Sequence, residues 1–339
     1  MMKSRVAVVI PCRNELRYIV GCIQSVLDQD YPAHLLEVFV VDGQSDDGTR
    51  QLIAQEFEAN PRVHVLDNPN RTTPYALNIG IQQAQADVSI IFGAHAVMLP
   101  HYVSRCVHLL QSDAHAGCVG GIIENVNENT TAKYISQCMS SSFGVGNAHF
   151  RTGNASGYVD TVAFGAYRSE VFQEVGYFND ALTRNQDDEF NYRVKKGGWE
   201  IVLDPEVRSK YFVRGSYGKL ARQYYQYGYW KVYVNVLHAT VTTIRQLIPF
   251  AFVAYLFGAT LLTGLWPSLL ALWWSPLLVY GVLSFAISIQ MDRSVKGIFM
   301  RMWVFFLLHC SYGWGYWRGI VQFVVFGRNP GQHASRTSR

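Results

Sequence analysis

The chain has 339 residues, 29 Lys and Arg against 25 Asp and Glu for a formal net charge of +4, and 49% hydrophobic residues. That length accommodates one large domain with an appendage, or two domains. No concentrated basic face lies in the first two hundred residues, which argues against a nucleic-acid partner. Cys12, Cys22, Cys106, Cys118, Cys138 and Cys310 form no CxxC pair and no zinc-like spacing, so reduced cytosolic thiols are expected.

A strand pattern begins at Arg5, so no secretory leader is expected before the fold. Val6 to Ile10 reads as a buried strand ended by Pro11. Leu16 to Leu27 has helical spacing, with Asn14 placed to cap it. Glu37 to Val41 is a second strand, and Asp46 or Asp47 is placed to cap a helix running to about Asn60. Val63 to Leu66 is a third strand, Pro74 to Ala86 a helix, Val88 to Phe92 a fourth strand, and Pro100 opens a helix to about Gln111. Strands alternating with helices at this spacing predict a mainly parallel sheet covered on both faces. Ligands of such sheets bind at the strands' carboxyl ends, where Arg13, Asp42 and Gly93 fall. No G-x-G-x-x-G is present, so a dehydrogenase has little support.

Beyond Cys118 the pattern loosens. Val119 to Ile123 and Thr161 to Phe164 read as strands, and Arg168 to Val175 and Asp187 to Lys196 as helices, giving mixed sheet up to about Arg214. Asn129-Thr130-Thr131 and Asn154-Ala155-Ser156 match the glycosylation acceptor pattern, which carries no meaning in a cytosolic domain. Residues 215–246 mix Tyr217, Tyr224, Tyr225, Tyr227, Tyr229, Trp230 and Tyr233 with Lys219, Arg222 and Lys231, the composition of a helix at headgroup level. An ordinary core helix with aromatic packing is the other reading.

Between Arg245 and Asp292 there is no charged residue. A span needs roughly 20 apolar residues, so this stretch predicts two, Leu247 to Leu265 and Leu269 to Ile289. A third apolar region, Ile298 to Phe326, is interrupted by His309 and Arg318 and either spans or lies in the interface. The transmembrane region is thus 247–326, with two to three spans and a basic tail at 327–339. Three spans would put that tail opposite the N-terminal domain, against the positive-inside tendency. Arg208, Lys210, Arg214, Lys219, Arg222, Lys231 and Arg245 precede the apolar region, which favours a cytoplasmic N-terminal domain at a cytoplasmic (inner) membrane.

Two acidic clusters remain: Val41-Asp42-Gly43-Gln44-Ser45-Asp46-Asp47-Gly48-Thr49 after the second strand, and Asn185-Gln186-Asp187-Asp188-Glu189-Phe190-Asn191-Tyr192-Arg193. Alone, the second suits the first turn of a helix. Together with Pro11-Cys12-Arg13-Asn14-Glu15 and Val159 to Arg168, in this order, the chain resembles the family-2 glycosyltransferases of GT-A fold from Val6 to about Lys231. Within the family it is most similar to the succinoglycan-type exopolysaccharide glucosyltransferases.

The resemblance implies a GT-A, Rossmann-like α/β domain over 1–214, followed by C-terminal transmembrane helices. It also implies an inverting transfer, with glucose the expected sugar, from a UDP-sugar donor to a lipid-linked saccharide acceptor. Pro11, Arg13 and Glu15 would contact base and ribose, with Arg13 stacked on the base. Asp42 would accept from the uracil nitrogen, and Arg71 would lie near the nucleotide. Asp187 falls on the general base, with Asp188 the alternative if the loop slips by one residue. The family's metal motif, Asp-x-Asp, reads Gly93-Ala94-His95 here. His95 is then the candidate ligand for a divalent metal, with manganese suited to an imidazole better than magnesium. Arg222 to Tyr227 falls where processive synthases carry Gln-x-x-Arg-Trp, and lacks both the Arg and the Trp. A catalytically silent subunit that assists a partner is the competing class.

Overall fold

The computed structural model describes residues 4–330 apart from 147, 154 and 214. The Asn154 acceptor pattern, Arg214 and the basic tail beyond Pro330 lie outside the described residues. Over those residues the chain divides into two compact units, Met1–Val126 with Ala148–Phe212, and Asn127–Asn147 with Val213–Arg339.

In the first unit β1 (Val6–Cys12), α1 (Ile19–Leu27), β2 (Leu36–Asp42), α2 (Thr49–Phe57), β3 (Val63–Asp67), α3 (Thr73–Ala84) and β4 (Val88–Ile91) alternate. β1 pairs in parallel with β2 and with β4, and β2 with β3. Successive β1 residues are buried on opposite faces: Val6, Val8 and Ile10 join the core beneath α1 and α2, whereas Ala7 and Val9 join that beneath α3. Past β5 (Ala96–Met98) and α4 (Tyr102–Ser112) the sheet turns antiparallel. β6 (Ala116–Asn127) precedes β7 (Gly157–Val159), β8 (Ala163–Arg168), the helices α8 (Ser169–Val175) and α9 (Gln186–Lys196), and β9 (Glu200–Val213). Strand order is β3-β2-β1-β4-β8-β6-β9-β5, with β7 also on β9.

The first helix starts at Ile19, three residues later than its spacing predicts, because Asn14 does not cap it. Asn14 has φ 56°. Its amide donates to Asp46 Oδ1 at 2.7 Å, and the Asp46 N–H donates to Asn14 Oδ1 at 3.0 Å. The Asn14 N–H also donates to Ser45 Oγ (2.9 Å), Glu15 N–H to Thr49 Oγ1 (3.0 Å), and Leu16 N–H to Asp47 Oδ2 (3.3 Å). The acidic stretch after β2 thus ties down the loop after β1, and Gly48, with φ 93°, is the residue that precedes α2.

The second unit contains α5 (Thr130–Met139), α6 (Ser142–Val145), α10 (Tyr217–Leu237), α11 (Leu247–Leu265), α12 (Leu270–Met291) and α13 (Val295–Gly319). α11 and α12 are long and apolar enough to cross a membrane. Ile248, Phe257, Leu261, Leu278 and Val282 on them are exposed, as lipid-facing residues are. α13 packs on α10, α11, α12 and α5. Its Arg301 is fully buried, donates to the Asp292 carbonyl (2.5 Å) and to Gln137 Oε1 (3.2 Å), and lies over the Tyr134 ring. His309 shares hydrogen bonds with Tyr280 OH and the Phe143 carbonyl, both at 2.9 Å. The tyrosine-rich α10 packs along α13 and buries Leu220, Trp230, Val232 and Val234.

That seam depends on glycine. A Cβ at Gly228 would lie 2.0 Å from the Tyr312 carbonyl oxygen, and one at Gly315 2.0 Å from the Tyr225 carbonyl oxygen. Close backbone approach of this kind is what small residues permit between helices. Gly315→Val should therefore destabilise the protein by about 2 kcal/mol or more in detergent thermal unfolding. Gly258→Ala, where nothing lies within 4 Å of the added Cβ, should change the midpoint little. Equal midpoints for the two variants would refute the packing argument.

The loop tie has a pH signature. Burial alone raises the Asp47 carboxyl, but hydrogen bonds from the Thr49 hydroxyl and N–H and from the Leu16 N–H outweigh it, holding it below its ordinary 3.8. Such a group contributes stability that is present above the unfolded value and lost as pH falls through the lower native one. Asp47→Asn should lower the unfolding midpoint modestly at neutral pH, because the carboxylate is exposed and partly screened. The deficit should vanish in the acid range below the native value. An Asp47→Asn deficit that stays constant across both ranges would contradict this assignment.

Candidate active site

The parallel register places Cys12, Asp42 and Asp67 side by side at the carboxyl edge of the sheet. Asp42 is 1% exposed. Its carboxylate accepts the Ser45 hydroxyl at 2.5 Å and the Ser45 N–H at 3.2 Å, and lies 3.8 Å from Arg50 Nη1. Arg50 is also bonded to Asp67. Pro11 is half-buried opposite Val41.

Loops from three strands meet above this edge. A Cβ on Gly43 would lie 3.3 Å from Arg13 Cδ and 3.5 Å from Arg71 Cα. Arg71 Nε donates to Gln44 Oε1 at 2.5 Å. Asn14, Gln44 and Arg71 all have positive φ, at 56°, 57° and 61°. Non-glycine residues seldom adopt this conformation and gather where surrounding structure forces it, often at functional sites. Arg13, Asp42 and Arg71 are thus brought into one cluster.

The turn after β4 supplies the other end. Gly93 C=O accepts from the Ala96 N–H at 3.1 Å, and His95 C=O from the Phe212 N–H at 3.2 Å. His95 Nδ1 lies 3.4 Å from Glu15 Oε1, is buried, and makes no hydrogen bond among the described residues. Its ring meets Tyr211 edge-on at 4.9 Å. Two possible metal donors, an imidazole nitrogen and a carboxylate oxygen, therefore face one another. Among the described residues no group of three or more His, Cys, Asp or Glu surrounds them, so they fit a divalent ion only with a bound diphosphate completing its shell.

Gly93 has a packing reason that the sequence does not disclose. A Cβ there would sit 2.9 Å from Phe164 Cε1. Phe164 holds φ 51°, packs tilted against Phe92 at 4.6 Å, and its carbonyl accepts from Tyr102 OH at 2.6 Å. The ring occupies the space an aspartate at position 93 would need.

The acidic run opens α9 after Asn185, which has φ 60°. Glu189 is buried and bonded twice to Arg193, at 2.8 and 3.0 Å, and Arg193 also donates to the Tyr177 carbonyl at 2.7 Å. Asp187 is exposed, with its Oδ1 accepting from the Asp188 N–H at 3.0 Å, and Asp188 is half-buried. The three neighbouring carboxylates thus divide: Glu189 is committed to Arg193, while Asp187 and Asp188 lie at the surface end of the turn.

Comparison with known proteins agrees with this architecture. Residues 7–176 match the model of glycosyl transferase family 2. A dolichyl N-acetyl-alpha-D-glucosaminyl phosphate 3-beta-D-2,3-diacetamido-2,3-dideoxy-beta-D-glucuronosyltransferase of Methanococcus voltae is 28% identical over 94% of this chain and 97% of its own length. The succinoglycan biosynthesis protein ExoA of Rhizobium meliloti (strain 1021) is 28% identical over 93% of this chain and 95% of its own. The mannosyltransferase PcManGT of Pyrobaculum calidifontis, solved with GDP-Man and Mn2+, shares the fold at 19% identity and a TM-score of 0.63, covering 94% of this chain and 88% of that one. With a GT-A sheet, loops converging on its carboxyl edge and these full-length relatives, the chain belongs to glycosyl transferase family 2.

Proposed function

We propose that the protein is a membrane-anchored inverting transferase that moves a sugar, glucose first among candidates, from a UDP-sugar to a lipid-linked saccharide at the cytoplasmic face of the inner membrane. The observation that carries the donor half is the convergence of Arg13, Gly43 and Arg71 over buried Asp42. A guanidinium plane suits a base face, and a buried carboxylate suits a ring N–H. A lipid-linked acceptor is supported by the name of the Methanococcus relative and by the apolar surfaces of α11 and α12. Those surfaces are also the support for anchoring.

In this reading Asp187, or Asp188 one residue on, takes the proton of an acceptor hydroxyl as its oxygen attacks the anomeric carbon from the face opposite the diphosphate. The new C–O bond forms as the bond to the diphosphate oxygen breaks, UDP leaves with that electron pair, and the anomeric configuration inverts. Glu189 is unsuited to the role because Arg193 holds it. A divalent cation between His95 and Glu15 would offset the charge that develops on the departing diphosphate.

Purified full-length protein in detergent should transfer label from a UDP-sugar to a lipid-linked acceptor. Absence of both transfer and hydrolysis with every UDP-sugar, from folded protein that binds UDP, would favour the silent-subunit reading instead. Asp187→Asn should reduce turnover by about a hundredfold or more with UDP affinity nearly unchanged. The same loss in Asp188→Asn alone would move the base by one residue, and activity in both variants would remove this turn from the chemistry. Asp42→Ala should weaken UDP binding by about 1–3 kcal/mol by calorimetry. Unchanged affinity would take Asp42 out of the donor site. Manganese binding in the presence of UDP, followed by electron paramagnetic resonance, should fall in His95→Ala. A signal identical in both proteins would exclude His95 as a ligand.

A further inference from the structure

Arg151, on the short helix α7 (His149–Thr152), is a cation without an evident job. Arg50, Arg105, Arg193 and Arg208 in the same unit each face a carboxylate. Among the described residues Arg151 faces none. Its guanidinium carbon lies 5.9 Å from the centroid of the Tyr211 ring and 5.4 Å from that of Phe150, and its Nη1 is buried with no hydrogen-bond partner among the described residues. Stacking occupies the face of a guanidinium and leaves its edge donors to be satisfied elsewhere. A buried, unsatisfied N–H of a charged group is unfavourable, so such a group in a native fold calls for a missing partner.

The position of Tyr211 indicates what that partner is. The same ring meets His95 at 4.9 Å and Phe164 at 6.5 Å. Phe164 is the side chain that fills the space beside Gly93. Arg151 is therefore one aromatic ring away from the turn where this chain lacks the first carboxylate of a metal pair. We infer that Arg151 is a diphosphate-binding residue, whose guanidinium edge takes the anionic oxygens of the donor's diphosphate and supplies positive charge at a site where the protein offers a cation few ligands. Arginine is well matched to phosphate because two parallel N–H donors meet two oxygens. The inference rests on the nucleotide-sugar reading above, and it adds a residue to which neither the sequence motifs nor that reading assigns a role.

Calorimetry of UDP and UMP binding to the full-length protein in detergent and excess chelator, with and without Arg151→Gln, separates the two ideas. The wild type should bind UDP more tightly than UMP even without metal. Arg151→Gln should weaken UDP by about tenfold or more and leave UMP within about twofold, so that UMP also reports an intact fold. An unchanged ratio of UDP to UMP affinity in the variant would overturn the inference while leaving the donor reading standing. Equal loss of both nucleotides would assign Arg151 to the architecture and overturn it too. A wild-type protein that binds neither nucleotide would sink the donor reading, and the arginine's role with it.

Discussion

The interaction on which the site depends is the tie between the loops after β1 and β2. Asn14 and Asp46 exchange two hydrogen bonds, and Ser45, Asp47 and Thr49 take the N–H groups of Asn14, Leu16 and Glu15. Parallel pairing alone brings Cys12 level with Asp42, but it leaves the residues beyond the strand ends unspecified. The tie fixes them. Arg13 is then held against Gly43, and Glu15 is carried to His95. The carboxylates that a sequence reader associates with ligand chemistry are mostly spent on this scaffold. Asp42 itself is buried at the sheet edge and bonded to Ser45, so the group proposed for recognition is also part of the architecture.

The second unit meets a different constraint. α13 must be apolar enough to pack on α10, α11 and α12, yet it carries Arg301 and His309. Both find partners inside the unit: the Arg301 Nη atoms donate to Gln137 and the Asp292 carbonyl, and His309 is bonded to Tyr280 and the Phe143 carbonyl. Gly228 and Gly315 let α10 and α13 approach until backbone meets backbone. In this arrangement α11 and α12 are left with largely exposed apolar surfaces, the division of labour that a bilayer anchor requires.

Much of the first unit is legible in the sequence because its strands are short apolar runs separated by helical spacing, the pattern of a sheet buried on both faces. The limits of α11 match the uncharged stretch for the same elementary reason. Where the reading slips, a partner distant in sequence decides. α1 begins late because Asp46 claims Asn14. β9 was hidden by Asp204, Pro205, Arg208 and Lys210, whose side chains break the apolar pattern while the backbone still pairs with β5 and β7. The close approach of α10 to α13 through Gly228 and Gly315 is likewise a feature that composition does not weigh. The altered metal motif is visible in sequence, but its physical reason, the Phe164 ring beside Gly93, lies 71 positions away. Arg151 gave no signal at all, since only the folded sheet brings Tyr211 beside it and His95.

In the proposed function, the edge formed by Arg13, Asp42 and Arg71 and the turn at His95 are two ends of one donor site. An experimental structure of the full-length protein with UDP tests it most directly. The uracil should lie against Arg13 with its ring N–H toward Asp42, and the diphosphate should reach the turn at His95 within range of the Arg151 guanidinium. UDP bound away from the carboxyl edge of β1 and β2, or with its diphosphate directed away from His95, would contradict it.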